Sequence, residues 1–229
     1  MSLENSLLEV DNIFNFKNSI SFITKKNNKY KNQELLQKVL NYKNINSDSI
    51  ASCIEKHTTN VEYAVNPNKY NNTDGLVTHL NKKIILMIQT ADCIPIFLYD
   101  PKQQIIGLVH SGWKGTSNSI FKNAINIFID NKSTPSDIQV YLGPSIKSQQ
   151  YEIKEDVANL FSKLYITKSA NKIFLSIQNK VIDDLLSMNV KKNNIINSDI
   201  CTFHNLEFCS YRRDGGNAGR MYSLFGVGE

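Results

Sequence analysis

Six short apolar runs in the middle of the chain constrain the fold more than any other feature. They span residues 49–54, 61–65, 76–79, 84–88, 94–99 and 105–109. Runs of this length, bounded by polar or turn-forming residues, are typical of buried strands. The dipeptide Asp100-Pro101 suits a turn between the last two runs. The middle of the chain is therefore predicted to form β-sheet.

Helical periodicity surrounds this strand-rich region. Apolar residues recur at helical spacing over residues 33–40 and 177–188, and a helix with one apolar face is predicted to begin near Thr116. We also predict a hairpin from residues 13–16 and 20–23, a strand over 137–142, a helix over 154–164, and short strands with glycine turns over 195–225. The chain has no internal repeat and no linker. It is predicted to form one compact α+β domain over residues 1–229, with mixed β-sheets and flanking helices.

Composition argues against several classes of protein. The chain has 229 residues, 41% of them hydrophobic and 21% charged, as is usual for a globular domain. Its net charge of +5 is dispersed, so no nucleic-acid partner is expected. There is no apolar run of the roughly 18 residues that span a bilayer, and no signal peptide is expected. The four cysteines are too sparse for a disulfide framework, which favours a reduced, cytoplasmic protein.

A cysteine and several histidines stand at the ends of predicted strands. Cys93 lies between the runs 84–88 and 94–99, and His110 follows the run 105–109. This pair suits either a metal site or a thiol nucleophile with its base. Since His57 and His79 also lie at predicted strand ends, Cys93 and two histidines could supply the three protein ligands of a catalytic zinc site.

The stretch after His110 is a candidate anion site. Gly112 and Gly115 permit tight turns before the predicted helix, whose N-terminal N–H groups would favour an anion. Ser111 and Lys114 lie in the same stretch, and the lysine adds a mobile positive charge. A simple strand-to-helix turn explains these residues equally well.

A second candidate anion site lies near the C-terminus. Arg212, Arg213 and Arg220 surround a glycine turn, and guanidinium groups match phosphate and carboxylate ions in shape. If the first two arginines lie on a strand, their side chains alternate, and at most one points at a shared site. Pairing of surface arginines with Asp214 is the alternative.

Four motifs follow one another along the chain. They are Thr90-Ala91-Asp92-Cys93-Ile94-Pro95, His110-Ser111-Gly112-Trp113-Lys114-Gly115, Gly143-Pro144-Ser145-Ile146 with Tyr151-Glu152, and Ser210-Tyr211-Arg212-Arg213-Asp214 with Gly219-Arg220. This order resembles that of the laccase-domain family, also described as YfiH-type purine nucleoside phosphorylases. The resemblance covers roughly residues 50–225.

The resemblance implies a zinc ion held by one cysteine and two histidines. Cys93 matches the family cysteine and His110 the second histidine. The first histidine belongs to a Gln-Val-His-Gly motif, which reads Glu55-Lys56-His57-Thr58 here. We therefore choose His57 over His79 as the third ligand. The family has also been described as copper-dependent polyphenol oxidases, which makes Cu²⁺ the alternative metal, and some members have a role in peptidoglycan quality control.

Two departures from the family pattern concern substrate binding. The family segment Thr-Arg-x-Gly-Gly-Val-Ser corresponds here to Thr24-Lys25-Lys26-Asn27-Asn28-Lys29. The arginine of the family motif His-Ala-Gly-Trp-Arg-Gly is Lys114, which keeps the charge but loses the bidentate fork.

The leading hypothesis from the resemblance is a zinc-dependent purine nucleoside phosphorylase. It would cleave adenosine, inosine and methylthioadenosine and would also deaminate adenosine, with a nucleoside and phosphate as partners. Phosphate is expected at the helix N-terminus after Gly115 and at one of the three arginines, and Asp92 is the candidate carboxylate for supporting the metal or handling protons. The alternatives are a thiol hydrolase with Cys93 as nucleophile and His110 as base, and a non-catalytic scaffold.

Overall fold

The predicted strands assemble into two mixed β-sheets that pack face to face. The computed structural model describes residues 2–16, 19–27 and 29–228. The first sheet has the spatial order β1 (Leu7–Glu9), β2 (Ser19–Thr24), β15 (Met221–Val227), β7 (Ile85–Thr90), β3 (Ile50–Ile54) and β5 (Lys69–Asn71). The first four strands pair antiparallel, whereas β7, β3 and β5 run parallel.

The second sheet contains the hairpin that the turn at Asp100-Pro101 predicts. Its order is β14 (Ile195–Asn197), β10 (Gln139–Leu142), β8 (Ile94–Asp100), β9 (Ile105–Ser111), β6 (Gly75–His79) and β4 (Val61–Tyr63). Strands β8 and β9 pair antiparallel along their full length, and β6 pairs antiparallel with β9. A small antiparallel sheet of β11 (Glu152–Ile153), β13 (Lys172–Leu175) and β12 (Ile166–Ser169) lies outside the two main sheets.

Three apolar clusters join the layers. The central cluster lies between the main sheets, where Ile88 and Phe225 of the first sheet contact Phe97 and Leu108 of the second. The outer face of the first sheet packs against α2 (Asn32–Tyr42). The outer face of the second packs against α4 (Ile120–Asp130) and α6 (Ile177–Ser187). The described residues thus form one α+β domain of two mixed sheets with flanking helices, which confirms the predicted fold class.

Two predicted elements are wrong or shorter than expected. Residues 13–16 are not a strand: α1 (Asp11–Phe14) ends where Asn15 adopts a left-handed conformation. The helix predicted over 154–164 is limited to α5 (Glu155–Ala158), because Ser162 accepts a hydrogen bond from the Leu164 N–H and starts a separate 3₁₀ turn. Such local side-chain hydrogen bonds compete with helix continuation.

The helix predicted near Thr116 consists of two pieces. The short helix α3 (Trp113–Ser117) begins three residues earlier, and Ser119, with φ of 54°, separates it from α4. Strand β10 likewise begins at Gln139, after a 3₁₀ turn at Pro135–Asp137. None of the helices in the described ranges is both long enough and apolar enough to cross a bilayer.

Candidate metal centre

The cysteine and two of the histidines meet where the ends of the two main sheets come together. His57 follows β3, Cys93 lies between β7 and β8, and His110 is on β9. Their potential ligand atoms all lie within 4.8 Å of one another, and the Cys93 Sγ is 4.0 Å from the His57 Nε2. His79 lies apart from this cluster and contacts the Tyr63 hydroxyl through its Nδ1.

A buried carboxylate that the sequence analysis missed holds both histidines. Asp74 precedes β6 directly and is 0% exposed. Its Oδ1 lies 2.8 Å from the His110 Nδ1, and the same oxygen accepts the His57 backbone N–H at 3.0 Å. Its Oδ2 accepts both the N–H and the hydroxyl of Thr58, each at 2.8 Å. Asp74 therefore fixes the ring of His110 and the turn that carries His57, whose φ is 57°.

The charges of the cluster are coupled. Burial alone would raise the pKa of Asp74, but its hydrogen bonds from His110 and Thr58 outweigh burial and hold that pKa well below its ordinary value. Burial would lower the pKa of His110, but Cys93 and Asp74 raise it. Burial would likewise raise the pKa of Cys93, yet His110 and then His57 lower it to about 6. Without metal the cluster favours a thiolate beside an imidazolium.

The donor set suits a soft or borderline metal ion. One thiolate and two imidazoles are ligands that zinc and copper accept. With zinc–sulfur and zinc–nitrogen bonds of about 2.3 and 2.0 Å, ligand atoms in a tetrahedral site stand roughly 3.5 Å apart. The 4.0 Å between the Cys93 Sγ and the His57 Nε2 is about half an ångström longer than that, and none of the three potential ligand atoms is more than 4.8 Å from another. Because Asp74 occupies the Nδ1 of His110, the Nε2 is the nitrogen left for a metal, as in the carboxylate–histidine–zinc arrangement.

Gly112 lets the chain pass directly over the ligands. A Cβ atom at this position would lie 2.8 Å from the Cys93 Sγ and 3.1 Å from the His57 Cδ2. Gly112 is also the residue that precedes the short helix α3. A side chain at position 112 would therefore collide with the cluster, which explains why the residue is glycine.

The other predicted residues between positions 111 and 116 contact neighbouring residues of the protein and not the metal cluster. The Ser111 hydroxyl is buried and lies 2.9 Å from that of Thr116, while a Cβ at Gly115 would meet Ile120. The N–H of Thr116 already donates to the Gly112 carbonyl inside α3. Lys114 is exposed, with its Nζ 5.5 Å from the centre of the Trp113 ring. The helix start expected after Gly115 is wrong, because α3 begins at Trp113.

The metal cluster opens into a cavity of about 490 Å³. Three aromatic residues, Trp113, Tyr151 and Tyr211, line it, and the Tyr211 side chain is 58% exposed at its edge. The polar residues on its wall include Glu55, Gln89, Thr90, Asp92, Arg212 and Arg220. Several of these belong to motifs quoted from the sequence, but nothing in the sequence assigned a role to Glu55, Thr90 or the aromatic residues.

The three predicted arginines have different surroundings. Arg212 and Arg213 lie on the short helix α7 (Tyr211–Asp214) and not on a strand. The Arg213 guanidinium is fully engaged: it binds Asp214 through two nitrogens and the carbonyls of residues 202, 203 and 208 at 2.7–2.9 Å. It does not line the cavity. Arg212 does, with its guanidinium 5.2 Å from the Tyr151 ring and bound to the Glu152 carbonyl at 2.7 Å.

Asp92 positions the backbone of Arg212 through a hydrogen bond. One of its carboxylate oxygens accepts the Thr202 hydroxyl and the other the backbone N–H of Arg212, each at 2.6 Å. Asp92 itself is nearly buried and has a φ of 82°. Since both carboxylate oxygens have donors, Asp92 fixes the start of α7 against the cavity.

Removing the charge of Asp74 should weaken metal binding. We expect Asp74→Asn to raise the dissociation constant for Zn²⁺ about 10- to 100-fold, because the carboxylate orients His110 and the turn of His57. Competition with a chromophoric chelator measures the constant, and Asp48→Asn, at an exposed carboxylate, is the matched control. Equal affinities for Asp74→Asn and the wild type would contradict this role.

The metal-free protein should alkylate at Cys93 at unusually low pH. Since the thiolate is the reactive form, the rate with iodoacetamide should rise with a midpoint near pH 6, the value to which the facing histidines lower the pKa of Cys93. In His110→Ala the midpoint should move upward. Mass spectrometry after chelation can follow Cys93, with Cys201 in the same digest as reference. A wild-type midpoint of pH 8 or above would be incompatible with this pairing.

Comparison with known proteins places this arrangement in a family. Residues 18–228 match the family described as multi-copper polyphenol oxidoreductase laccase. A purine nucleoside phosphorylase of Clostridium acetobutylicum is 40% identical over 157 residues, 66% of this chain and 65% of that protein. The purine nucleoside phosphorylase YlmD of Bacillus subtilis is 33% identical over 168 residues, 69% of this chain and 59% of that protein. The chain thus spans less than two thirds of the length of these two relatives.

Another relative and two crystal structures extend the comparison. A purine nucleoside phosphorylase of Deinococcus radiodurans is 32% identical over 187 residues, which are 79% of this chain and 71% of that protein. The structure of the hypothetical protein YfiH of Bacillus licheniformis has a TM-score of 0.88 at 22% identity, covering 97% of this chain and 96% of that one. YlmD of Geobacillus stearothermophilus has a TM-score of 0.83 at 21% identity, covering 93% of each chain. These two structures have the same fold. The chain therefore belongs to the family described as multi-copper polyphenol oxidoreductase laccase, whose relatives compared above are named purine nucleoside phosphorylases.

Proposed function

We propose that this protein is a zinc-dependent purine nucleoside phosphorylase that also deaminates adenosine. The observation that carries the proposal is the cluster of Cys93, His57 and His110 at one end of an aromatic-walled cavity. The names of the relatives support the reaction class. Adenosine, inosine and methylthioadenosine share a purine and a ribose, so one cavity could accept all three.

The aromatic residues provide surfaces for the purine. Trp113, Tyr151 and Tyr211 line the same cavity as the metal cluster, and flat aromatic rings favour offset stacking with other ring systems. Arg212, already against Tyr151, extends this surface with a planar cation. On the same wall, the Glu55 carboxyl accepts the Gln89 N–H at 2.7 Å and has further acceptor capacity for ribose hydroxyl groups.

Asp74 and Gly112 prepare the cluster for a metal. Asp74 holds His110 with its Nε2 unblocked, and Gly112 keeps the space over the Cys93 thiol clear of a side chain. A zinc ion, when bound there, supplies Lewis acidity and lowers the pKa of coordinated water towards neutrality. Copper remains the alternative for the same donor set.

The two proposed reactions break different bonds of the nucleoside. In phosphorolysis the N9–C1′ bond breaks with its electron pair going to the purine, which takes up a proton, while a phosphate oxygen bonds to C1′. The products are the free base and the 1-phosphate of the sugar, which is ribose 1-phosphate for adenosine and inosine and its 5-methylthio derivative for methylthioadenosine. In deamination, water replaces the amino group at C6 of adenosine and ammonia leaves. A carboxyl group on the cavity wall, such as Glu55, would accept a hydrogen bond from the nucleoside in either reaction.

One observation favours a second candidate function. The lowered pKa of Cys93 beside His110 is also what a thiol hydrolase needs, with Cys93 as nucleophile and His110 as base. That function requires no metal, and His57 would have no catalytic part in it. Activity that survives chelation but is lost after iodoacetamide treatment would favour the hydrolase.

Incubation with adenosine tests the proposed function directly. With zinc and phosphate we expect adenine and ribose 1-phosphate, and without phosphate we expect inosine and ammonia; chromatography separates the products. Cys93→Ser should lose both activities, while Cys201→Ser, which removes a thiol outside the cavity lining, should keep them. If no product forms from adenosine, inosine or methylthioadenosine while zinc is bound, the nucleoside assignment is wrong.

A further inference from the structure

Thr90 presents an unsatisfied polar atom at the cavity. It is 1% exposed, lines the cavity, and its Oγ1 has no hydrogen-bond partner among residues 2–16, 19–27 and 29–228. A buried hydroxyl without a partner is uncommon in native proteins and calls for an explanation such as a missing ligand. Thr90 lies on the cavity wall, so a ligand there would supply the partner once a small movement of the wall uncovers the hydroxyl, which now has almost no accessible surface.

Arg220 lies next in the chain to Met221, the strand partner of Thr90. Strands β7 and β15 pair antiparallel with Thr90 opposite Met221, so Arg220 precedes the residue that faces Thr90. The Arg220 Nη1 contacts only the carbonyls of Ala218 and Gly219, at 3.2 and 3.0 Å, among the described residues. Within the described residues no carboxylate lies within 4.0 Å of the Arg220 guanidinium, whereas Arg213 pairs with Asp214. Arg220 therefore has donors left for an anion.

A second cavity brings positive charge to the same arginine. It has a volume of about 520 Å³ and is lined by Lys25, Lys26, Lys31 and Arg220 but, among the described residues, by no aspartate or glutamate. Lys25 and Lys26 pair with Glu207 and Asp214, whereas Lys31 has no such partner in the described ranges. A cleft lined by one sign of charge concentrates ions of the opposite sign. Arg220 lines both cavities and joins this basic cleft to the metal centre.

We propose that Arg220 and Thr90 form the subsite that holds inorganic phosphate, which reaches it through the basic cleft. This inference rests on the proposed phosphorylase function and names the group that binds its second substrate. The Arg220 guanidinium would donate to two phosphate oxygens and the Thr90 hydroxyl to a third. The other two arginines are less suited, because Arg213 is fully engaged and Arg212 is held by a carbonyl and Tyr151.

Binding of phosphate to the protein alone tests this subsite without any turnover. In a titration of zinc-loaded protein with inorganic phosphate, followed by ³¹P NMR or calorimetry, Arg220→Gln should raise the dissociation constant about tenfold or more, since a charge-assisted hydrogen-bond pair is lost. Thr90→Val should raise it about threefold. It should not lower the melting temperature, because it removes a hydroxyl that has no partner in the described chain.

Matched variants separate this subsite from general effects. Lys192→Gln removes a positive charge that lines neither cavity, and Ser133→Ala removes another buried, unpartnered hydroxyl; neither should change phosphate affinity. Unchanged affinity in Arg220→Gln, or no phosphate binding by the wild type, would overturn the subsite even if nucleosides are cleaved. Phosphate binding that survives Arg220→Gln but disappears in Cys93→Ala would place the phosphate on the metal and would equally overturn it. The proposed function fails separately, if phosphate binds as predicted but no nucleoside is turned over.

Discussion

The buried carboxylate of Asp74 is the interaction on which the candidate metal centre depends. It accepts hydrogen bonds from the turn that carries His57, which connects β3 of the first sheet to β4 of the second, and from the ring of His110 on β9. Burying a carboxylate is costly unless donors compensate. Here the compensating donors belong to His110 and to the turn of His57, which must themselves be held in place. The same hydrogen bonds therefore compensate the burial of the Asp74 carboxylate and fix the geometry of the cluster.

The rest of the site is arranged around that anchor. Cys93 comes from the connection between the two sheets, and Gly112 allows the next segment to pass close to its thiol. Asp92 performs a second anchoring role on the cavity wall, where it fixes the start of α7 and with it Arg212. The cavity thus has a metal side held by Asp74 and an aromatic, cationic side held by Asp92. On the proposed function, a nucleoside would lie between these two sides, with phosphate at Arg220.

The sequence allowed prediction of the fold class and of the three clustered side chains. The apolar runs become strands because their residues are buried on both faces, and Cys93 and His110 stand beside those strands. His57 required the family motif, since spacing alone did not separate it from His79. Asp74 could not be predicted, because its role depends on the long-range pairing of Gly75 with Val109. In the sequence, Asp74-Gly75 reads as an ordinary turn.

The different surroundings of Arg212 and Arg213 could not be fully predicted from the sequence. Arg213 matches a family motif as well as Arg212 does, but it pairs with Asp214, the alternative expected from the sequence, and its other partners are backbone carbonyls of residues 202, 203 and 208, which no pattern in the sequence reveals. The helix predicted over 154–164 is shorter in the structure because of tertiary packing, which the sequence also does not reveal. Its apolar residues Leu160 and Leu164 are exposed and gain no packing that would favour a longer helix.

Metal analysis of matched variants tests the central claim most directly. Elemental analysis of zinc-loaded, desalted protein should find one zinc ion per chain in the wild type, and in His79→Ala and Cys201→Ala, whose side chains lie outside the cluster. It should find little or none in Cys93→Ala and His57→Ala. Full zinc content in both of these variants, or none in the wild type, would contradict a metal centre built from Cys93, His57 and His110.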